Sequence, residues 1–267
     1  MDQLVEIKSK IQINPSRVGK KYFVKTFGCQ MNEHDSERIS GMFELDGMSK
    51  AISEEYADVL FVNTCTIREN ADDKLYGTLG QLKQWKSQKD NRKLLVGGCA
   101  AQKDKELVRE KAPWVDVVIG THNLTNVVDL LNRSEDWGPL TEIIDEIETL
   151  PTEAPSIRES EYSAWVTIQI GCNNSCTFCI VPSVRGQEIS RRPSDIVNEA
   201  KKLVDEGVKE ITLLGQNVNS YGRDLKIEGK ARPYFSQLLE QLNDIKGLER
   251  IRFTSPHPKD FKAETIE

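Results

Sequence analysis

The sequence predicts an α/β protein in two parts: an N-terminal domain on an open parallel sheet, followed by an incomplete β/α barrel. Three observations predict this. Strand-length apolar runs alternate with helix-length stretches in both halves, the pattern of parallel strands joined by crossover helices. A proline-bearing acidic segment separates the halves. The 267 residues, 38% of them hydrophobic, suffice for real cores in one large or two ordinary domains.

In the first half the predicted strands are Tyr22–Phe27, Val59–Asn63, Lys93–Val96 and Val115–Ile119. All are short and rich in apolar or β-branched residues. Helices are predicted over about Glu33–Asp46, Ala71–Lys89, Asp104–Lys111 and Leu124–Leu131. Gly47 fits a left-handed helix end, and Pro113 stops the third helix just before it. These elements define a domain over residues 21–132, after an N-terminal extension over 1–20.

Residues 133–163 read as a linker, with one short strand at Ile143–Ile147. The composition is rich in Glu and Pro and builds little core. From Thr141 to Tyr162 seven acids (Glu142, Asp145, Glu146, Glu148, Glu153, Glu159, Glu161) face one base, Arg158. That segment carries a charge of −6, the net charge of the whole chain. The rest is neutral overall, which neither demands nor excludes an anionic partner such as nucleic acid.

The second series, 164–267, begins with a strand at Trp165–Ile170 and a helix over Ser194–Glu206, Ser194 capping it and Gly207 following it. A strand at Glu210–Leu214, a helix at about Tyr234–Ile245, a strand at Arg250–Phe253 and a helix from Lys259 complete it. At roughly 40 residues per unit, two and a half β/α units are present, and a barrel needs on the order of six to eight to close. The chain is therefore expected to be cut short, with Arg250–Phe253 left as an unprotected edge. No window approaches the about 18 apolar residues of a membrane span. Met1–Lys20 lacks the apolar core of an export signal. A cytoplasmic monomer without a membrane partner is the expectation.

Six cysteines stand at 29, 65, 99, 172, 176 and 179. In a reducing compartment metal or redox chemistry outranks disulfides. Cys29, Cys65 and Cys99 each follow a predicted strand. Loops at the carboxyl ends of parallel strands converge on ligands, so three thiols could meet there; three separate buried thiols are the plainer alternative. Cys172, Cys176 and Cys179 follow the first strand of the second series. Zinc is a rival there, but it favours four ligands, or three with His among them. His34, His122 and His257 are all distant in sequence. Three thiolates better suit a four-iron, four-sulfur cluster with one open iron.

The C-x3-C-x-aromatic-C pattern over Cys172–Cys179 resembles that of the radical S-adenosylmethionine (SAM) enzymes. With Thr26–Asn32, Asn63–Arg68 and Gly98–Gln102, the chain from about Lys21 onward resembles their methylthiotransferase family. Arg68–Gly77, Leu213–Val218 and Thr254–Pro258 look like the branch acting on N6-dimethylallyladenosine in tRNA. The branches acting on threonylcarbamoyl-adenosine or on a ribosomal-protein aspartate share the cysteines.

The resemblance implies a radical SAM barrel and two [4Fe-4S] clusters. Cys172, Cys176 and Cys179 would hold the cluster whose open iron chelates S-adenosyl-L-methionine and yields a 5′-deoxyadenosyl radical. That radical would take the hydrogen at adenine C2. Cys29, Cys65 and Cys99 would hold the cluster that carries the sulfur to be inserted, and a second SAM would supply the methyl. The protein supplies ligands, orientation and exclusion of water. Phe178 would pack beside SAM. Gln216, where many relatives have a carboxylate, and Ser255 would contact the cofactor, while Arg185, Arg191 and Arg192 would contact RNA phosphates. Partners would be a tRNA anticodon loop and an electron donor such as a flavodoxin or ferredoxin. The family's full length includes further barrel strands and an RNA-binding domain, so this chain alone is expected to turn over poorly. An electron carrier and a non-catalytic iron–sulfur fragment are the alternatives from other classes.

Overall fold

A computed structural model describes residues 13–66, 71–145, 155–225, 233–261 and 263–266. The chain divides into two compact units, Met1–Ile147 with Glu153–Ile157, and Glu148–Thr152 with Arg158–Glu267.

The first unit is built on strands β1 (Lys21–Thr26), β2 (Ser49–Lys50), β3 (Val59–Thr64), β4 (Lys93–Gly98), β5 (Val117–Ile119) and β6 (Leu140–Glu142). They form one sheet in the order β2-β1-β3-β4-β5-β6, every pair parallel. Its helices are α1 (Gln30–Leu45), α2 (Ala71–Ser87), the short α3 (Cys99–Asp104) and α4 (Leu107–Lys111), and α5 (Val127–Trp137). Side chains alternate across a strand, and the two cores divide accordingly. Leu60, Val62, Leu94, Val96 and Val118 face Leu75, Leu79, Leu82 and Trp85 of α2. Val59, Phe61, Leu95, Val117 and Ile119 face Ile39, Met42 and Phe43 of α1 and Leu130 and Leu131 of α5. A strand covered on both faces reads as a continuous apolar run, and every residue of β3 is buried. Each such Leu, Val or Phe contributes about 1.5–3 kcal/mol by leaving water.

Four differences from expectation appear here. The strand expected at 143–147 instead forms at Leu140–Glu142, paired with β5 through Val117–Leu140; residues 146 and 147 lie outside the described residues. α5 continues to Trp137, so 133–142 completes the sheet rather than linking domains. The helix expected at 104–111 is two short helices, broken where Lys105 takes a positive φ of 51°. The end of the expected N-terminal extension is built in: Arg17 is fully buried, and its guanidinium bonds Asp46 at 3.1 Å, Asn132 at 2.8 Å and Glu135.

The second unit has strands β7 (Ser163–Thr167), β8 (Gln169–Ile170), β9 (Ile189–Ser190), β10 (Glu210–Leu214) and β11 (Arg250–Phe253). Its helices are α6 (Val181–Arg185), α7 (Pro193–Asp205), α8 (Phe235–Asn243) and α9 (Ala263–Ile266). β11, β10 and β7 form a parallel three-stranded sheet, and β8 pairs antiparallel with β9. Ala164, Val166, Ile211 and Leu213 pack on Ile196, Ala200 and Leu203 of α7 and Phe235, Leu238 and Leu242 of α8. Among the described residues the strands do not close a barrel. The expected strand 165–170 breaks at Ile168: its N–H still donates to Leu214 of β10, while its carbonyl accepts from Arg191 next to β9. α7 begins at Pro193 with Arg192 as its cap residue, so Ser194 lies inside the first turn and caps nothing. A 3-10 turn at Pro258–Asp260 precedes α9 in place of a helix from Lys259. The edge strand β11 carries Arg250 and Arg252, both exposed and paired with Glu210 at 2.9 and 3.0 Å; such charges guard an edge against stray pairing.

Candidate metal centres

All six cysteines are thiols outside any disulfide. In the first unit the strand order reverses between β1 and β3, and it is there, beyond the carboxyl ends, that open parallel sheets bind ligands. Cys29 follows β1 and Cys65 follows β3. Thr64 pairs with Gly98 across β3 and β4, so Cys65 and Cys99 are the next residues along neighbouring strands. Gly28, at φ +142°, lies so close that a Cβ there would stand 3.1 Å from the Cβ of Cys65. Gly98, at φ +90°, leaves no room for a side chain against Thr64 and Asn63. Three loops bearing one thiol each therefore adjoin at one end of the sheet. Cys65 and Cys99 are buried and Cys29 is exposed.

Behind them lies a fully buried amide pair that spacing alone does not reveal, Asn32 and Asn63. Asn32 Nδ2 donates to the carbonyl of Thr64 at 2.8 Å, to Asn63 Oδ1 at 3.2 Å and to the carbonyl of Phe27 at 3.3 Å. Asn63 Nδ2 donates to the carbonyl of Asn32 at 2.7 Å and to Ser36 Oγ at 2.9 Å. The Cys29 thiol points at Asn32 Oδ1, 3.6 Å away. On the other side, Gln102 of the Cys99 helix accepts from Thr121 N at 2.9 Å and donates to the carbonyl of Ile144 at 3.1 Å. The motif residues Ile67–Asn70 lie outside the described residues.

In the second unit Cys172 follows β8 and Cys176 and Cys179 continue the loop, tied by Cys179 N–H donating to the carbonyl of Cys176 at 3.1 Å. The loop is anchored at its start. Cys172 N–H donates to the carbonyl of Gly186, Glu188 N–H to Asn173 Oδ1 at 3.0 Å, and Lys259 Nζ to Asn174 Oδ1 at 2.7 Å. Cys172 is buried, while Cys176 and Cys179 are exposed. Burial pushes the Cys172 thiol up, opposed by the Asn174 N–H it accepts and reinforced by the charges of Glu188, Cys179 and Cys176. Among the described residues no three His, Cys, Asp or Glu side chains are gathered tightly enough to hold a metal ion as they stand. By donor chemistry both thiol sets fit an iron–sulfur cluster: three sulfurs on one short loop, and three on adjoining strand ends.

Beneath the second loop is a polar shelf, also missed by sequence reasoning. Gln169 Nε2 donates to the carbonyl of Asn217 at 2.6 Å, and Ser220 Oγ donates to Glu188 Oε1 at 2.6 Å. Asn217 Nδ2 and Arg223 Nη2 donate to the two oxygens of Asp260 at 2.8 and 2.6 Å. Burial chiefly pushes the Glu188 carboxyl up, with Asp224 and Asp260 adding to it against Ser220 and Arg223. The single signal in sequence was polar residues directly after strand ends.

The expected contact residues fare unevenly. Phe178 is 93% exposed, so it is not part of a core. Gln216 is half-buried just past β10. Ser255 is exposed at φ +58°, and its carbonyl accepts from Val218 N–H. The three arginines do not form an exposed cluster. Arg191 is buried, donating to the carbonyl of Thr167 at 2.8 Å and pairing with Glu199 at 2.6 Å. Arg185 is also buried, at the end of α6. Arg192 alone is exposed. Burying a guanidinium demands internal partners, and Arg191 has them in the Thr167 carbonyl and Glu199.

Residues 21–120 match the model described as uncharacterized protein family UPF0004, and residues 166–267 match the radical SAM superfamily. Among curated proteins, the tRNA-2-methylthio-N(6)-dimethylallyladenosine synthase of Corynebacterium efficiens is 53% identical over 252 residues, covering 93% of this chain and 48% of that protein. The enzymes of the same name from Nocardia farcinica and Leifsonia xyli are each 52% identical, over 251 and 261 residues, covering 93% and 97% of this chain and 50% and 48% of theirs. The chain spans about half the length of the curated relatives it matches. A structure of the radical S-adenosylmethionine methyltransferase TsrM from Kitasatospora setae, bound to tryptophan substrate and a SAM analogue, is similar at a TM-score of 0.57 and 13% identity, over 92% of this chain and 56% of that one. A second TsrM structure, with cobalamin and a [4Fe-4S] cluster, gives 0.57 and 12%, over 93% and 56%. At that identity the likeness is one of fold. No helix among the described residues is long and apolar enough to cross a membrane.

Proposed function

We propose that the chain is part of a radical SAM methylthiotransferase, an enzyme that methylthiolates C2 of N6-dimethylallyladenosine beside the anticodon of tRNA. The observation that carries the proposal is the double set of thiols. The first set stands beyond the carboxyl ends of parallel strands and the second directly follows β8; each unit matches one family model, and relatives align across both units. Two [4Fe-4S] clusters, two SAM molecules, a flavodoxin- or ferredoxin-like donor and a cytoplasmic setting belong to this reading.

Cys172, Cys176 and Cys179 would hold one cluster, which would supply the electron for reductive cleavage of SAM. Cys29, Cys65 and Cys99 hold the second. The anchors at Asn173 and Asn174 fix where the first loop starts, so that Cys176 and Cys179 can close over the metal. Phe178, between two of these cysteines and exposed, would pack beside SAM. Gln216 and Ser255 stand past the ends of β10 and β11 as polar contacts to the cofactor. Arg192 remains for an RNA phosphate, and unstacked bases of the anticodon loop are accessible to such recognition.

The test is anaerobic reconstitution with ferrous iron and sulfide. About eight irons per chain are expected, with about four lost in Cys65→Ala and about four in Cys172→Ala. SAM should alter the electron paramagnetic resonance of the reduced cluster left in Cys65→Ala. A Cys65→Ala variant that keeps all its iron, or a reduced cluster blind to SAM, would defeat the proposal.

A further inference from the structure

We propose that Asn32 and Asn63 are positioning residues that hold the three loops of Cys29, Cys65 and Cys99 in the spacing a shared cluster requires. The inference rests on the reading that those cysteines bind one. Its basis is the reach of two buried side chains. Asn32 touches the loop of Cys29 twice, through the carbonyl of Phe27 and the Cys29 thiol, and the loop of Cys65 through the carbonyl of Thr64. Asn63 is the second-last residue of β3, and its amide ties back to the carbonyl of Asn32 and to Ser36 Oγ, itself bonded by Thr26 Oγ1 at 2.8 Å. The loop of Cys99 abuts the same pair, since the missing side chain of Gly98 is what lets it sit against Asn63 Oδ1 and Thr64. Thr64 Oγ1 closes the set by donating to the carbonyl of Gly97 at 2.5 Å.

Two properties mark this as more than core filling. The bonds run from the first turn of α1 to the end of β3, across sequence separations of about thirty residues. Primary amides are also both donor and acceptor, so one planar group can bridge several carbonyls that would otherwise repel one another and splay the loops. Groups that hydrogen-bond to a metal's ligands set the ligands' orientation, and their loss typically costs ten- to a hundredfold in metal affinity.

The experiment starts from the whole chain carrying Cys172→Ala, Cys176→Ala and Cys179→Ala, so that iron reports only the first centre. This parent is expected to bind about four irons after reconstitution with ferrous iron and sulfide. Adding Asn32→Ala should lower bound iron at least threefold and speed bleaching of the residual absorbance in air. Adding Asn123→Ala, which removes an equally buried amide bonded to the carbonyl of Glu142, should lower the melting temperature of the apoprotein and leave iron unchanged. Full iron in Asn32→Ala overturns the inference, as does an equal loss in Asn123→Ala, which would mean general destabilisation. If Asn32→Ala does not fold, Ser36→Ala decides. It removes one acceptor from the network, so about half the iron supports the inference and full iron overturns it. A parent that binds no iron would instead bring down the reading of the cysteines, and the inference with it.

Discussion

At the scale of single residues, exposure separates side chains that the sequence presents as equals. Cys172, Cys176 and Cys179 share one motif, yet burial pushes the Cys172 thiol up and shields it while its two neighbours are exposed. Thiolate is the reactive form. Iodoacetamide at pH 8 is therefore expected to label Cys176 and Cys179 of the apoprotein well before Cys172, read by peptide mass spectrometry; Cys172 labelled first would contradict the burial argument. The arginines divide in the same way. Arg191→Ala strands Glu199 and the carbonyl of Thr167 and should cost about 2–4 kcal/mol in stability. Arg192→Ala, at an exposed position, should stay within about 0.5 kcal/mol and instead weaken retention of tRNA in a filter-binding assay. Equal melting curves for the two would refute the division. The six cysteines stand out in the sequence as a candidate site because they are rare and regularly placed after strands, and the structure sets three on adjoining strand ends and three on one loop. The burial of Arg191 was not legible, because in sequence a guanidinium looks alike whether it faces water or a carbonyl. Asn32 and Asn63 were illegible for a related reason: their partners lie in strands brought together only by the sheet.

At the scale of elements, periodicity located the four inner strands and the long helices of the first unit, since apolar runs inside a covered parallel sheet are a local signal, while the two-residue β2 was too short to show. What it misplaced depends on partners. β6 lies three residues earlier than its apolar residues suggest because β5 determines where pairing occurs, and β8 leaves its parent strand because β9 offers a second antiparallel partner. The link between β10 and the turn after β11 is likewise tertiary: Asn217 and Arg223 both hold Asp260. Burial raises this carboxyl, but those two bonds outweigh it and hold the group below its ordinary 3.8. The unfolded chain then takes up the proton more readily than the folded one. The stability this carboxylate contributes is present above pH 3.8 and lost as pH falls through the folded value. Glu188, raised from 4.5, has its proton before that window is reached. Asp260→Asn is accordingly expected to lower the melting temperature of the second unit at pH 7 and to lower it less at pH 3. A variant whose melting temperature differs from wild type by the same amount at both pH values would show that Asp260 carries no linked proton.

At the scale of the molecule, the boundaries of the first unit depend on what its core requires at each end. Sequence composition sets it at 21–132, whereas packing runs further both ways. Arg17 reaches Asp46, Asn132 and Glu135, and β6 supplies the outer neighbour of β5. The fragment 13–145 keeps all of these and is expected to melt cooperatively by circular dichroism. The fragment 21–132 loses the guanidinium, the end of α5 and β6 together. Asp46 is then left buried with no cation beside it, a loss on the order of 3–5 kcal/mol, worth tens of degrees in a domain of this size. The pH dependence gives an independent check. Even with Arg17 in place, burial lifts the Asp46 carboxyl from 3.8 to about 6, and removing Arg17 raises it further. A group whose folded value lies above its unfolded one loses its stabilising proton as pH rises. The short fragment should therefore gain stability as pH drops from 7 toward 5, more steeply than the long one. Equal melting temperatures and parallel pH curves would mean that residues 13–20 and 133–145 decorate a core that is complete without them.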